Sequence, residues 1–384
     1  MKLIEQICKE SIKQEYKDCL EITGQQYKIR CNTNLPIEYL HDIIYPDKAN
    51  GISFLSSEAS DDKAIVVEMR IINKEDFYSV FDQVKSEGRY MGKCIQQKYG
   101  FYDKYEYDGI YYIYPDFDDS GTPNLVFNNG QKMIFLSVEG HFDYKLLART
   151  IREIAYRQLE SDGYVCVHSS AVQLNGKGIL IVGDSAAGKT TLSLSLCRFF
   201  NGKYMTNDKT LIKEMNGNLY ATPFSAAVRL NYGTLNTLKM EDRFDEWNLK
   251  IKRPTDQSDW KEFNGVHKLN LLPREVNKIL GFDVLASTKI DYVIYPKINM
   301  DLKDYIIEHR AVENVLKRNI CTPDDEQFPQ DWLDCRTISY EKLQINADNV
   351  IEKIFQADNL HIQYSFDHYD KLLQNINNIV SEIG

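Results

Sequence analysis

Gly178-Ile179-Leu180-Ile181-Val182-Gly183-Asp184-Ser185-Ala186-Ala187-Gly188-Lys189-Thr190-Thr191-Leu192 is the stretch on which the reading of this chain turns. An apolar run enters a glycine turn, and Lys189-Thr190 opens an amphipathic segment with Leu192, Leu194, Leu196 and Phe199. Gly, four residues, then Gly-Lys-Thr is the phosphate-binding loop pattern, and it counts when a strand precedes it and a helix follows. Both are predicted here, the strand over 178–182 and the helix over 190–200. Backbone N–H groups from Asp184 to Thr190 are expected to cradle a β-phosphate, helped by the positive end of the helix. Lys189 is expected to reach the β- and γ-phosphate oxygens, and the Thr190 hydroxyl to ligate Mg²⁺. Gly183 and Gly188 supply the backbone freedom and close approach that a Cβ would hinder. The nucleotide-binding set is therefore Gly183, Asp184, Ser185, Ala186, Ala187, Gly188, Lys189, Thr190 and Thr191. The main chain of Asp184 and Ser185 counts for more than their side chains.

Composition sets the frame. The chain has 384 residues, enough for roughly two domains, and 43% hydrophobic with 27% charged residues is ordinary for a globular protein with a real core. A net charge of -10 and a pI near 5.3 argue against nonspecific binding to nucleic acid or to an anionic membrane. ATP remains open, because it needs only local positive charge. Eight cysteines, at 8, 19, 31, 94, 166, 197, 321 and 335, include no Cys-x-x-Cys pair, and no His completes a zinc site. They read as reduced, mostly buried thiols of a cytoplasmic protein. The first residues turn polar too soon for a secretory signal, and no apolar run approaches a membrane span of ~20 residues.

Residues 1–150 read as a separate α+β domain without a catalytic constellation, and recognition of a substrate is the role left for it. A short helix is predicted within 1–20, a strand over 64–71, a helix over 76–84, and strands over 111–114, 124–127 and 133–138. Asn128-Asn129-Gly130 signals a hairpin between the last two. Helical spacing of Leu146, Leu147, Ile151, Ile154, Ala155 and Leu159 predicts a helix over 142–159 that leads into a second domain, 151–340. There, a strand over 164–168 ends at His168, and Asn175-Gly176 turns into the strand before the glycine loop. A strand over 203–209 ends in Asn207-Asp208, residues 226–230 form a short strand carrying Arg229, and the polar stretch 242–268 reads as a lid. The tail, 341–384, reads as a helical extension.

Candidate chemistry gathers at the strand ends. Asp208 follows an apolar strand, where a carboxylate can meet Mg²⁺ or take a proton from an attacking hydroxyl. Asn207 could orient that hydroxyl or a metal-bound water, or simply make a turn. His168 could hydrogen-bond a phosphate or Asp208. Arg229 could hold a phosphate with its planar fork, or sit on a strand surface.

Taken together, His168-Ser169-Ser170-Ala171-Val172, Asn175-Gly176-Lys177-Gly178, the loop 183–192 and Asn207-Asp208-Lys209 resemble the HPr kinase/phosphorylase family, and more closely its divergent branch of related kinases, some of which act on lasso-peptide precursors. Thr222-Pro223, Val228-Arg229 and Gly233-Thr234-Leu235 share the likeness, which spans roughly residues 160–300. The resemblance implies an α/β fold: a P-loop kinase domain of the HPr kinase or phosphoenolpyruvate-carboxykinase-like type behind the N-terminal α+β domain. It implies Lys189 on the phosphates, Thr190 and Asp208 at the metal, and His168 near the γ-phosphate, with ATP and Mg²⁺ as cofactors. The family carries an Asp-Asp pair where this chain has Asn207-Asp208, so either Asp208 acts as the base or the base lies elsewhere. The expected activity is transfer of the γ-phosphate to a hydroxyl, foremost Ser of a peptide or protein. A nucleotide-dependent regulatory protein and a kinase for a small sugar or amino acid are the alternatives. Assembly into a homo-oligomer is left open.

Overall fold

The protein is described from a computed structural model covering residues 14–22, 25–43, 52–54, 64–97, 100–114, 123–129, 132–141, 144–224, 228–240, 268–271 and 275–382, together with Ile4, Gln6 and Ile7. Of the expected lid, 242–268, all but Lys268 lies outside the described residues, as do Ala226-Ala227, Gly130 and most of residues 1–13, where a short helix is predicted. The chain divides into two compact units.

Unit 1 comprises residues 1–46, 51–161 and 324–337. Its strands are β1 (Tyr16–Ile22), β2 (Gln25–Cys31), β3 (Ile52–Phe54), β4 (Ile65–Ile72), β5 (Arg89–Gln97), β6 (Gly100–Glu106), β7 (Ile110–Tyr114), β8 (Asn124–Asn128) and β9 (Lys132–Val138). They form one sheet in the order β3-β1-β2-β4-β9-β8-β7-β6-β5. Only the β2–β4 and β4–β9 pairs at its centre are parallel. One face packs with α1 (Leu35–Ile43) and α3 (Tyr144–Ser161), burying Leu40, Leu147, Ile151 and Ile154. The other face packs with α2 (Lys74–Glu87) through Phe77, Val80 and Val84. Asn73 caps α2 by accepting from the Asp76 amide at 2.9 Å.

The boundary expected at 150 is corrected. Helix α3 belongs wholly to unit 1, because its apolar stripe closes the core of that sheet. Residues 324–337 return to the same core: Trp332 stacks on Tyr102 with centroids 4.6 Å apart and donates through Nε1 to Glu153 Oε2 at 2.8 Å.

Unit 2 is built from 162–323 and 338–384. It contains β10 (Val165–Val167), β11 (Ser169–Leu174), β12 (Lys177–Val182), α4 (Lys189–Phe200), β13 (Lys203–Thr206), β14 (Thr210–Met215), β15 (Asn218–Pro223), β16 (Val228–Leu230), α5 (Tyr232–Thr237), β17 (Leu269–Leu271), β18 (Thr288–Ile298), β19 (Ile306–Glu308), α6 (Glu313–Asn319), α7 (Tyr340–Gln356), β20 (Asp358–Tyr364) and α8 (Tyr369–Glu382). The sheet runs β10-β14-β15-β18-β12-β11-β13, with β20 beside β18 and β19 beside β20. Strands β12, β18 and β20 are mutually parallel neighbours, with β18 in the middle. The apolar residues of all three are covered on both faces, as parallel strands require. Ile179, Ile181, Ile294 and Ile362 face α4 and α8, while Leu180, Val182, Val293 and Tyr295 share the other core with Leu316 of α6 and Val350 of α7.

The tail is not a helical extension. It supplies α7, the parallel strand β20 beside β18, and α8, and so completes this sheet. Helix α4 is buried nearly all round, and its small Ser195 accepts from Tyr369 Oη of α8 at 3.2 Å.

Candidate functional site

Asn175 and Gly176, with φ of 51° and 79°, make the tight turn that feeds β12 from β11 in antiparallel register. Strand β12 ends at Val182, and the loop 183–188 leads directly into α4. Ala186 and Gly188 both take left-handed conformations, at φ of 64° and 99°. Alternation of such residues turns successive N–H groups inward and makes a concavity for an anion. Gly188 is the N-cap of α4 and offers no side-chain hydrogen bond to the first amides of the helix. The helix therefore begins with bare donors at its positive end. A Cβ at Gly188 would collide with the Tyr364 hydroxyl, so the position needs glycine for space as well as for its backbone angle.

Lys189 is 7% exposed. Its Nζ donates to the Gly183 carbonyl at 2.5 Å and to the Asp184 carbonyl at 3.2 Å, so the ammonium closes over the mouth of its own loop. Burial lowers its pKa, while Asp208 and Asp184 pull in the opposite direction. Thr190 receives the Asn207 amide at its Oγ1, at 3.4 Å. Asn207 is itself buried, with its carbonyl accepting from Ser170 Oγ at 3.2 Å and its Oδ1 from Tyr204 Oη at 3.4 Å. Asp208 lies beside His168, Oδ1 to Nε2 at 3.7 Å, and both are about two-fifths exposed. The strand ends of β10, β12 and β13 thus bring Lys189, Thr190, Asn207, Asp208 and His168 together around one loop. The Thr190 hydroxyl and the Asp208 carboxylate are hard oxygen donors of the kind that suits a Mg²⁺ ion retaining waters, while the Asn207 amide turns its Nδ2 to Thr190.

Two predicted residues have other roles. Thr191 turns away from the loop: its hydroxyl pairs with Thr234 Oγ1 at 2.9 Å in a buried contact that ties α4 to α5. Arg229 is exposed on the β16–β17 ribbon opposite Asn270, and among the described residues no hydrogen bond joins it to the loop.

Sequence spacing gave no sign of Arg318. This residue of α6 reaches Asp184 with Nη2 to Oδ2 at 2.8 Å, and Asn319 Nδ2 lies 3.4 Å from Oδ1. The Arg318 guanidinium is the main reason that the Asp184 carboxyl is held below its ordinary range. On the β18 side of the loop is a cleft of about 500 Å³, walled by Gly183–Ala187, Tyr295–Ile298, Val312, Val315, Arg318 and His361. His361 Nδ1 lies 2.7 Å from Glu308 Oε2 and 2.7 Å from Arg310 Nη2.

No family model matches the sequence, and no curated protein matches it. Among solved structures the chain is similar to one described as the Hpr(Ser) kinase/phosphatase from Coxiella burnetii, at 12% identity and a TM-score of 0.27, over 56% of this chain and 93% of that one. At that score the structural likeness carries no functional argument, and the site's own geometry has to supply it. No helix among the described residues is long and apolar enough to cross a membrane.

Proposed function

We propose that the protein is an ATP-dependent kinase that transfers the γ-phosphate to a hydroxyl, foremost a Ser of a peptide or protein. One observation carries this reading. A bare helix N-terminus with a buried lysine stands within one cluster with a carboxylate, Asp208, that is about two-fifths exposed to solvent. Phosphoryl transfer needs little else, since positioning and charge stabilisation do most of the catalysis.

In this reading the loop amides and Lys189 hold the β- and γ-phosphates after the ammonium exchanges the carbonyls of Gly183 and Asp184 for phosphate oxygens. The acceptor oxygen bonds to the γ-phosphorus, the bond from that phosphorus to the β,γ-bridging oxygen breaks, and ADP leaves. Asp208 takes the acceptor proton. His168 beside it keeps the carboxylate oriented and, when protonated, faces the phosphoryl oxygens. Thr190 and Asp208 would hold Mg²⁺, which would neutralise charge on the phosphates when bound. Unit 1 is the candidate for acceptor recognition.

Labelled ATP incubated with Ser-containing peptides and with a lysate tests the reading. Label on a hydroxyl supports it. Normal ATP binding with no acceptor, slow hydrolysis and a partner whose affinity follows ATP would favour a nucleotide-dependent regulator instead. Asn207, where the resemblance has an acid, is the feature that favours that second reading.

A further inference from the structure

Strand β10 pairs with β14 and also with the residues that follow α6. Val167 and Ile320 form an antiparallel bridge. It is flanked by hydrogen bonds from the Cys321 amide to the Cys166 carbonyl at 2.8 Å and from the His168 amide to the Asn319 carbonyl at 2.7 Å. This register sets Cys166 directly opposite Cys321. Opposed residues of an antiparallel pair have Cα atoms about 4.5–5.5 Å apart and side chains on one face. A disulfide spans Cα separations of about 4.4–6.8 Å, so the backbone can stay where it is. The two sulfurs already lie within 4.8 Å of each other, both as thiols.

The two thiols differ in access. Cys166 is fully buried, whereas Cys321 is partly exposed. Lys209, itself buried, directs Nζ to Cys321 Sγ at 3.9 Å. A cation beside sulfur favours the thiolate, the form that attacks an oxidant. Cys335 is the other partly exposed thiol among the described residues, but burial and the neighbouring Asp331 carboxylate push it up to about 12. It stays protonated and unreactive.

We infer that Cys166 and Cys321 form an oxidation site for a hydroperoxide, with Cys321 the attacking sulfur and Cys166 the resolving one. With hydrogen peroxide, the Cys321 thiolate bonds to one oxygen, the O–O bond breaks, and hydroxide leaves and is protonated to water. Sulfur gives up two electrons, the peroxide takes them, and Cys321 becomes a sulfenic acid. The Cys166 sulfur then bonds to the Cys321 sulfur. The S–O bond breaks, and the leaving hydroxide takes the Cys166 proton. Two thiols and one peroxide become one disulfide and two waters. The bond forms two residues from His168 and two from Asn319, whose Nδ2 reaches Asp184. It requires nothing of the glycine loop, so it stands or falls apart from the kinase reading.

Hydrogen peroxide added to the full chain, followed by denaturing alkylation and peptide mass spectrometry, tests it. The reduced chain has eight thiols, of which two should resist alkylation after oxidation. The peptides of Cys166 and Cys321 should run as one species that dithiothreitol parts. The cross-link closes a loop of 321 − 166 = 155 residues. The thermal midpoint should therefore rise by about 5 °C or more and fall back on reduction. In Cys166→Ala, oxidation should halt at a Cys321 sulfenic acid that dimedone traps. In Cys321→Ser, a change at a partly exposed position that spares the core, every remaining thiol should still alkylate.

A cross-link through any other cysteine overturns the assignment, as does alkylation of Cys166 and Cys321 that is as complete after peroxide as before. A metal ion held by the two sulfurs, which a chelator must remove before they oxidise, overturns it too.

Discussion

Two clusters of charged side chains, one in each unit, are handled in opposite ways. The one in unit 1 is sealed inside. Arg157 is fully buried and bonds to Glu160 Oε2 at 3.0 Å and to the Phe328 carbonyl at 2.5 Å, and Arg336 meets the same Glu160 at 2.8 Å. In unit 2, around the loop, Asp208, His168, Asp184 and Arg318 remain between about two-fifths and three-fifths exposed. A charge removed from water needs partners, as Arg157 and Glu160 have in each other. A charge left half in water at the end of a parallel strand can exchange its present partner for a ligand. The first arrangement secures residues 324–337 to unit 1. The second surrounds a helix N-terminus that lacks a cap.

Substitutions should separate the two arrangements. The largest effect is expected at Asp208. Asp208→Asn should cut phosphoryl transfer about 10²–10⁴-fold, the usual contribution of a general base, while ATP affinity stays within about tenfold. Transfer that survives this change would move the base elsewhere. In unit 1, Trp332→Ala removes a buried indole from between Tyr102 and Tyr112 and should destabilise that unit by about 3–5 kcal/mol in denaturant unfolding. A loss below about 1 kcal/mol would mean that the returning segment is not part of the core. The same stacking shows why residues 1–140 cannot be deleted cleanly: the truncated chain would keep Trp332 and lose its ring partners. Acceptor recognition by unit 1 is therefore better tested by surface substitutions.

Gly188→Ala should cost about 1–2 kcal/mol for the left-handed backbone alone, with more from the Tyr364 hydroxyl, and should weaken phosphate binding by reshaping the loop. Unchanged binding would contradict the nest geometry. The last effect is spread over pH. Burial lifts Glu153 from 4.5 to about 8, although Trp332 and Arg157 pull it down. Between those values the folded chain holds a proton that the unfolded chain releases. The stability contributed by this proton is fully present below about 4.5 and is lost as pH rises toward 8, at no more than about 1.4 kcal/mol per pH unit. Unfolding titrations of the parent and of Glu153→Gln check it: the falling slope should vanish in the variant.

Local pattern made much of this visible in advance. The glycine loop, its flanking strand and helix, and the Asn175-Gly176 turn all follow from short-range chemistry. Strand β20 was hidden because Asp358-Asn359-Leu360-His361-Ile362-Gln363-Tyr364 lies between two amphipathic helices and mixes polar residues into a strand buried by tertiary packing. With β20 unread, His361 could not be set beside β18, and Glu308 and Arg310 had no visible partner. Arg318 is 134 residues from Asp184, a separation that only the parallel sheet closes. Thr191 shows the reverse error: the motif draws attention to it, yet helical phase turns its hydroxyl to Thr234 and away from the loop.

Titration calorimetry with Mg²⁺-ATP, comparing the parent chain with Lys189→Ala, tests the central claim most directly. The loop reading predicts a measurable heat of association for the parent and a loss of affinity of at least about tenfold in the variant. Absence of heat in the parent, or equal affinity in both proteins, would contradict it.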